Sequence, residues 1–99
     1  MSHTFLPRRY DMDVKDLQYF IAVYEARGFL RASESLGTVQ SNVSSRIRSL
    51  EDTLGVPLFE RRYRGVVPTE KGEQLYGHAK QVIAALDHTV REIRPSPTP

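Results

Sequence analysis

Ninety-nine residues with 14 Lys plus Arg against 12 Asp plus Glu, 39% apolar residues, no cysteine and no tryptophan describe one small soluble domain or a piece of a larger chain. Without cysteine there is no disulfide framework, thiol nucleophile or cysteine-ligated zinc site. His3, His78 and His88 are too scattered for a metal cluster, so neither metal nor cofactor is expected.

No apolar run of about 18 residues is present to span a bilayer, and MSHTFLPRRYDM lacks the apolar core of a secretory signal, so the expected location is the cytoplasm, with no membrane partner. The formal net charge is only +2, but its distribution is uneven. Between Arg27 and Gly65 stand seven arginines (Arg27, Arg31, Arg46, Arg48, Arg61, Arg62, Arg64) against four carboxylates (Glu34, Glu51, Asp52, Glu60). Arginine is the cation best suited to forked contacts with phosphate or guanine.

Residues 1–12 show no periodicity and read as a flexible arm containing Arg8, Arg9 and Tyr10. Asp13 is an N-cap candidate. Val14, Leu17, Phe20, Ile21 and Tyr24 then recur at helical spacing, predicting a first helix that Gly28 stops. Phe29 to Leu36 predicts a short second helix with Phe29, Ala32, Ser33 and Leu36 on one side, ended by Gly37. A third helix is predicted from about Val39 to Leu54, with Thr38 as N-cap and Gly55 as C-terminal stop. Its apolar stripe is Val39, Val43, Ile47, Leu50 and Leu54. Ser41, Ser45, Arg48 and Asp52 lie opposite, with Asn42 and Ser44 on the flanks.

Beyond Pro57, residues 58–61 and 65–67 are short strand candidates joined by a basic tip, and Pro68 closes the edge. Thr69, with Glu70 just inside, opens a last helix reaching about Arg94, roughly 39 Å long at 1.5 Å per residue. Leu75, Ala79, Val82, Leu86, Val90 and Ile93 step by three and four along it, with Tyr76 and Ile83 alongside. So small a domain cannot cover this seam alone, so a second copy is expected on it. Residues 95–99 have a Pro-rich linker composition, which suggests that something is missing beyond them.

A mainly α fold follows: a winged helix-turn-helix over 13–68, with the helix-turn-helix at about 29–48 and a small β-hairpin wing at about 58–67, and a long linker helix over 69–94. A helix that enters a DNA major groove needs an apolar back and a front without bulk near its N-terminus; the third helix has both. Ser41, Ser44 and Ser45 suit close approach to phosphates, Gln40 and Asn42 offer paired donor and acceptor groups, and Arg46 or Arg48 can fork to guanine or phosphate. Arg61, Arg62, Arg64 and Gly65 in the wing, with Arg31 on the second helix, complete the candidate DNA-binding set. The alternative for the serines and the hairpin arginines is simple solvation. Phe29 reads as core.

The stretch DLQYFIAVYEARGFLRASESLGTVQSNVSSRIRSLEDTLGVPLFERRYRGVVPTEKG resembles the N-terminal DNA-binding domain of LysR-type transcriptional regulators. The likeness covers Asp13 to Gly72, and its most specific blocks are 40–50, 50–61 and 64–72. It implies a bacterial regulator whose third helix enters the major groove, whose wing touches flanking backbone or minor groove, and whose linker helix pairs with its twin. It further implies tetramers in an intact chain and a small-molecule effector bound only by a C-terminal domain lacking here. The chain departs from the usual pattern at Val39, where Ser or Thr is common, at Ser41-Asn42 in place of Pro-Ala, at Gly28 in place of a Ser cap, and at Ser33.

The expected function is therefore sequence-specific binding of double-stranded DNA by a homodimer reading inverted half-sites. A rival from another class is a module that forms heterodimers through the Leu75 to Ile93 seam and blocks a full-length partner; the wing arginines favour direct binding. No enzyme is expected. The one dense carboxylate pair, Glu51-Asp52, points about 100° apart on a helix and makes no facing acid-base pair. Phe59 and Tyr63 do not form the aromatic sheet of single-strand RNA readers.

Overall fold

A computed structural model describes residues 11–96. Arg8, Arg9 and Tyr10 of the N-terminal arm, and residues 97–99, lie outside the described residues. The elements in order are α1 (Val14–Ala26), α2 (Phe29–Leu36), α3 (Gln40–Leu54), β1 (Phe59–Arg62), β2 (Gly65–Pro68) and α4 (Glu70–Ile93). This is a mainly helical winged helix-turn-helix, in which the two strands form one antiparallel hairpin.

Asp13 caps α1 through a reciprocal box: the Asp16 amide donates to Asp13 Oδ1 (2.9 Å) and the Asp13 amide donates to Asp16 Oδ2 (3.0 Å). The bond from the Asp16 amide, helped by the Arg46 charge, holds the Asp13 carboxyl below its ordinary value against a smaller opposing effect of desolvation. The other end of α1 departs from expectation. Arg27, not Gly28, is the C-cap, in left-handed conformation (φ 59°) with its amide bonded to the Val23 carbonyl, and Gly28 becomes the extended N-cap of α2. The buried face also differs from the predicted stripe. Leu17, Tyr19, Phe20 and Val23 are buried, whereas Val14 is exposed and Ile21 and Tyr24 are half-buried. The physical reason is that α1 packs against α2, α3 and α4 together, so more than one of its faces is covered.

Gly37 ends α2 in left-handed conformation (φ 72°), giving the tight turn into α3. The N-cap of α3 is Val39, with no side-chain capping bond, rather than Thr38. Thr38 instead accepts a bond from Asn42 Nδ2 at 3.0 Å. Val43, Ile47 and Leu50 are buried, but Val39 and Leu54 at the ends of the predicted stripe are exposed, because the core ends before they do.

The hairpin pairs Phe59 with Pro68 and Arg62 with Gly65, so Tyr63 and Arg64 alone form its tip. Phe59 packs at a tilt against Phe20 (5.2 Å between centroids, planes at 35°) and meets Phe29 edge-on at 6.5 Å, joining wing, α1 and α2 in one aromatic cluster. Phe20, Leu50, Leu58, Val23 and Val43 are the largest fully buried side chains. Truncating Phe20 to alanine would cost about 3–5 kcal/mol.

Thr69 caps α4 by accepting from the Gly72 amide (3.0 Å), and its hydroxyl donates to the Pro57 carbonyl (2.8 Å). Gly72 packs so closely on the Leu58 carbonyl that a Cβ has no room. The first turn of α4 is thereby fixed to the chain entering the wing.

Candidate nucleic-acid interface

The outward face of α3 carries Gln40, Ser41, Ser45 and Arg48 exposed to solvent, with Ser44 half-buried on the flank. Gln40, Ser41, Ser44, Ser45 and Arg48 line one shallow depression. No side chain caps the first turn, in which the Asn42 amide bonds back to the Val39 carbonyl at 3.1 Å. Small side chains over these turns let a nucleic-acid backbone approach.

Two of the expected contact residues are engaged within the domain. Asn42 Nδ2 donates to Thr38 Oγ1 and, at 3.4 Å, to the Tyr19 hydroxyl, so its amide orientation is fixed. Arg46 is held more firmly. Nη1 lies 2.8 Å from Asp16 Oδ1 and 3.8 Å from Asp13 Oδ1, and the guanidinium sits 4.9 Å from the Tyr19 ring centroid. Its Nε is buried and makes no hydrogen bond among the described residues. Arg46 thus ties α3 to the first turn of α1, with its charge met by the capping carboxylates, instead of projecting toward a ligand.

The wing lies beside the start of α2. Arg27, Arg31, Arg61, Arg62 and Arg64, with Gln40 of α3, rim a cleft of about 320 Å³ floored by Phe29 and Leu30. The guanidinium of Arg61 stands 4.9 Å from the Phe29 ring and that of Arg64 stands 5.4 Å from the Tyr63 ring, each pre-oriented by cation–π contact. Arg62 pairs with Glu60 at 2.7 Å, but both are more than half exposed. An exposed pair contributes only about 0–1 kcal/mol and yields readily to a phosphate. Five arginines on one rim, continuous with the outward face of α3, make a surface matched to a polyanion.

Gly65 has a different part from the direct contact expected of it. Its φ is +135°, and the Arg27 carbonyl occupies the space a Cβ would need. That carbonyl accepts the Val66 amide at 3.1 Å, so the left-handed Arg27 is what anchors β2 to the corner between α1 and α2. Glu51 anchors the other strand. Oε2 accepts the Leu58 amide at 2.7 Å and the Phe59 amide at 3.4 Å, fixing where the wing leaves α3. Arg27, Glu51 and Tyr19 were all missed as positioning residues. The sequence offers no signal for Arg27 or Tyr19, while Glu51, a carboxylate on the last turns of α3 shortly before the wing, gives only a weak one.

Along α4 the predicted seam divides. Ala79 is buried in the chain's own core, and Leu75 and Tyr76 pack against that core. Ile83 is half-buried. Val82, Leu86, Val90 and Ile93 are left exposed in a stripe, at 42%, 41%, 43% and 78%. No helix among the described residues is long and apolar enough to cross a membrane.

Comparison with known proteins places these features. The family described as "Bacterial regulatory helix-turn-helix protein, lysR family" matches residues 14–73. The HTH-type transcriptional regulator BudR of Raoultella terrigena is 42% identical over 83 residues, covering 84% of this chain and 29% of that protein. BudR of Klebsiella aerogenes is 41% identical over 83 residues, covering 84% and 58%. The chain therefore spans well under two thirds of these relatives' length. Among solved structures, the CbnR DNA-binding domain in complex with DNA superposes with a TM-score of 0.81 at 31% identity, covering 84% of this chain and 95% of that one. The BenM DNA-binding domain with benA site 1 DNA gives 0.78 at 34% identity, covering 82% and 91%. The named relatives are transcriptional regulators.

Proposed function

The chain belongs to the lysR family of bacterial regulatory helix-turn-helix proteins, and we propose on that premise that it reads double-stranded DNA in a sequence-specific way as a homodimer. Each protomer lays α3 in a major groove, with Gln40, Ser41, Ser44, Ser45 and Arg48 toward bases and phosphates. Arg31, Arg61, Arg62 and Arg64 take the flanking backbone or minor groove. The observation that carries this reading is the continuity of the small polar face of α3 with the five-arginine rim on one side of the molecule. Arg46, Asn42 and Gly65 act by holding that face in position.

Pairing runs through the exposed stripe Val82, Leu86, Val90 and Ile93, so the two-fold symmetry of the protein asks for inverted half-sites. The same reading extends to tetramers, to a small-molecule effector bound by a C-terminal domain, and to action in the cytoplasm, where the DNA is.

The test is fluorescence-anisotropy binding to random duplexes, with selection and sequencing of the bound fraction at two salt concentrations. Enrichment of one dyad-symmetric sequence with a steep salt slope is expected. Binding without enrichment refutes sequence reading by this chain, and no binding moves the function to heterodimer formation through the same stripe.

A further inference from the structure

α4 packs on the rest of the domain along its first turns, with Ala79 buried in the core and Leu75 against it, and two further contacts hold it before it runs free. The first is the Thr69–Gly72 turn against Leu58. The second is a pair of tyrosines: Tyr24, in the last turn of α1, and Tyr76 of α4 stack face to face, with centroids 3.8 Å apart and planes within 6°. The bonds of the pair cross. Tyr24 donates to Glu73 Oε1 of α4 at 2.5 Å, and Tyr76 donates to Glu25 Oε2 of α1 at 2.7 Å. Cations close both ends of the stack, Arg27 over Tyr24 at 4.7 Å and Lys80 over Tyr76 at 5.6 Å, with Lys80 also 3.8 Å from Glu25. Contacts spaced along a rod determine its direction, and among those of α4 the stack with crossed hydrogen bonds is the one that resists both sliding and twisting.

We propose that the Tyr24–Tyr76 stack is the joint that fixes the direction of α4 relative to α3 and so sets the spacing of the two half-sites a dimer can read. Tyr24 and Tyr76 are positioning residues, and their role rests on the dimeric DNA reading above. The lever arm makes the joint matter. From Tyr76 to Ile93 is about 26 Å of helix at 1.5 Å per residue. Play of about 10° at the joint moves Ile93 by roughly 4–5 Å, more than the ~3.4 Å of axial rise per base pair. In a two-fold dimer the error counts twice.

The chain has no cysteine, so a single Cys at the exposed Ser49 of α3 carries a nitroxide without background. Pulsed dipolar spectroscopy then reads the distance between the two α3 helices of a dimer. A narrow distribution is expected in the parent. In Tyr76→Ala its width should at least double with helical circular dichroism retained. Tyr76→Phe, which keeps the ring and loses the Glu25 bond, should fall between. An unchanged width in Tyr76→Ala overturns the joint. If that variant does not fold, the exposed pair Glu25→Ala with Glu73→Ala, which keeps both rings and removes both acceptors, must broaden the distribution or the proposal fails.

A second readout is selection from random duplexes. The loosened variant should enrich the same arm sequence as the parent at several spacings instead of one. A single unchanged spacing, or a changed arm sequence, overturns the proposal. A parent with no distance between protomers refutes the dimer reading itself, and the joint's role in spacing falls with it.

Discussion

Arg46 of α3 donates to Asp16 of α1 across 2.8 Å, with the carboxylate side chain only 13% exposed. The bond fastens α3 to the capping box of α1. Replacing Asp16 with alanine should destabilise the domain by about 1–3 kcal/mol, because it removes a charge-assisted bond and strands a partly buried guanidinium. Arg46→Ala should cost a similar amount, and the double variant less than the sum. A urea-denaturation double-mutant cycle with coupling near zero would contradict the pairing.

Gly65→Ala should destabilise by at least about 1–3 kcal/mol, since φ is +135° and the Arg27 carbonyl fills the Cβ position. The wing should detach from the α1–α2 corner. Hydrogen exchange at the Val66 amide should quicken and DNA affinity should fall with it, although the substitution removes no charge.

Arg64 and Gln40 should separate affinity from discrimination. Arg64→Ala should weaken binding to selected and random duplexes alike and lower the salt slope by about 1. Gln40→Ala should cost about 1–3 kcal/mol on the selected sequence and little on random DNA. Equal loss on both for Gln40→Ala would show that it contacts backbone alone.

The tyrosine joint should be alkali-sensitive. Hydrogen bonding to Glu73, with desolvation and the charge of that carboxylate, raises Tyr24 above 10 against the opposing pull of Arg27, and the bond to Glu25 raises Tyr76 likewise. A raised folded value means the stabilisation is complete below the unfolded value of about 10 and is lost as pH rises through the folded value. Absorbance titration near 295 nm should show two tyrosines ionising late, and Tyr24→Phe should remove at least one of them.

Leu86→Glu should split the dimer. It places a charge in the middle of the exposed stripe, and loss of about 2 kcal/mol or more corresponds to roughly a thirtyfold weaker dissociation constant. Sedimentation velocity reads the change, and helical content should stay unaltered because Leu86 is 41% exposed in the single chain.

The helices and the hairpin were legible because their signals are local. Asp13 as the cap of α1, Gly37 and Gly55 as stops, and Thr69 as the cap of α4 each depend on residues within one turn. The candidate surface was legible for the same reason: helical periodicity alone turns Gln40, Ser41, Ser45 and Arg48 away from Val43, Ile47 and Leu50. Local signals misled where a neighbouring element competed. Gly28 looked like the stop of α1, but the carbonyl of Arg27 is needed by Val66, 39 positions later, and Arg27 takes the left-handed turn.

Spacing and composition act over a few residues, and they were enough for the order of elements, the apolar backs of the helices and the concentration of arginine around the wing. Tertiary structure decided which arginines face outward. Arg46 and Arg48 are two residues apart on one helix, yet Arg46 is drawn to Asp16 and Tyr19 while Arg48 remains exposed. It also divided the α4 seam between Ala79, consumed by the chain's own core, and Val82 to Ile93, left uncovered. Both outcomes depend on contacts between residues far apart in the chain, which only packing brings within the few ångströms over which hydrogen bonds and dispersion act.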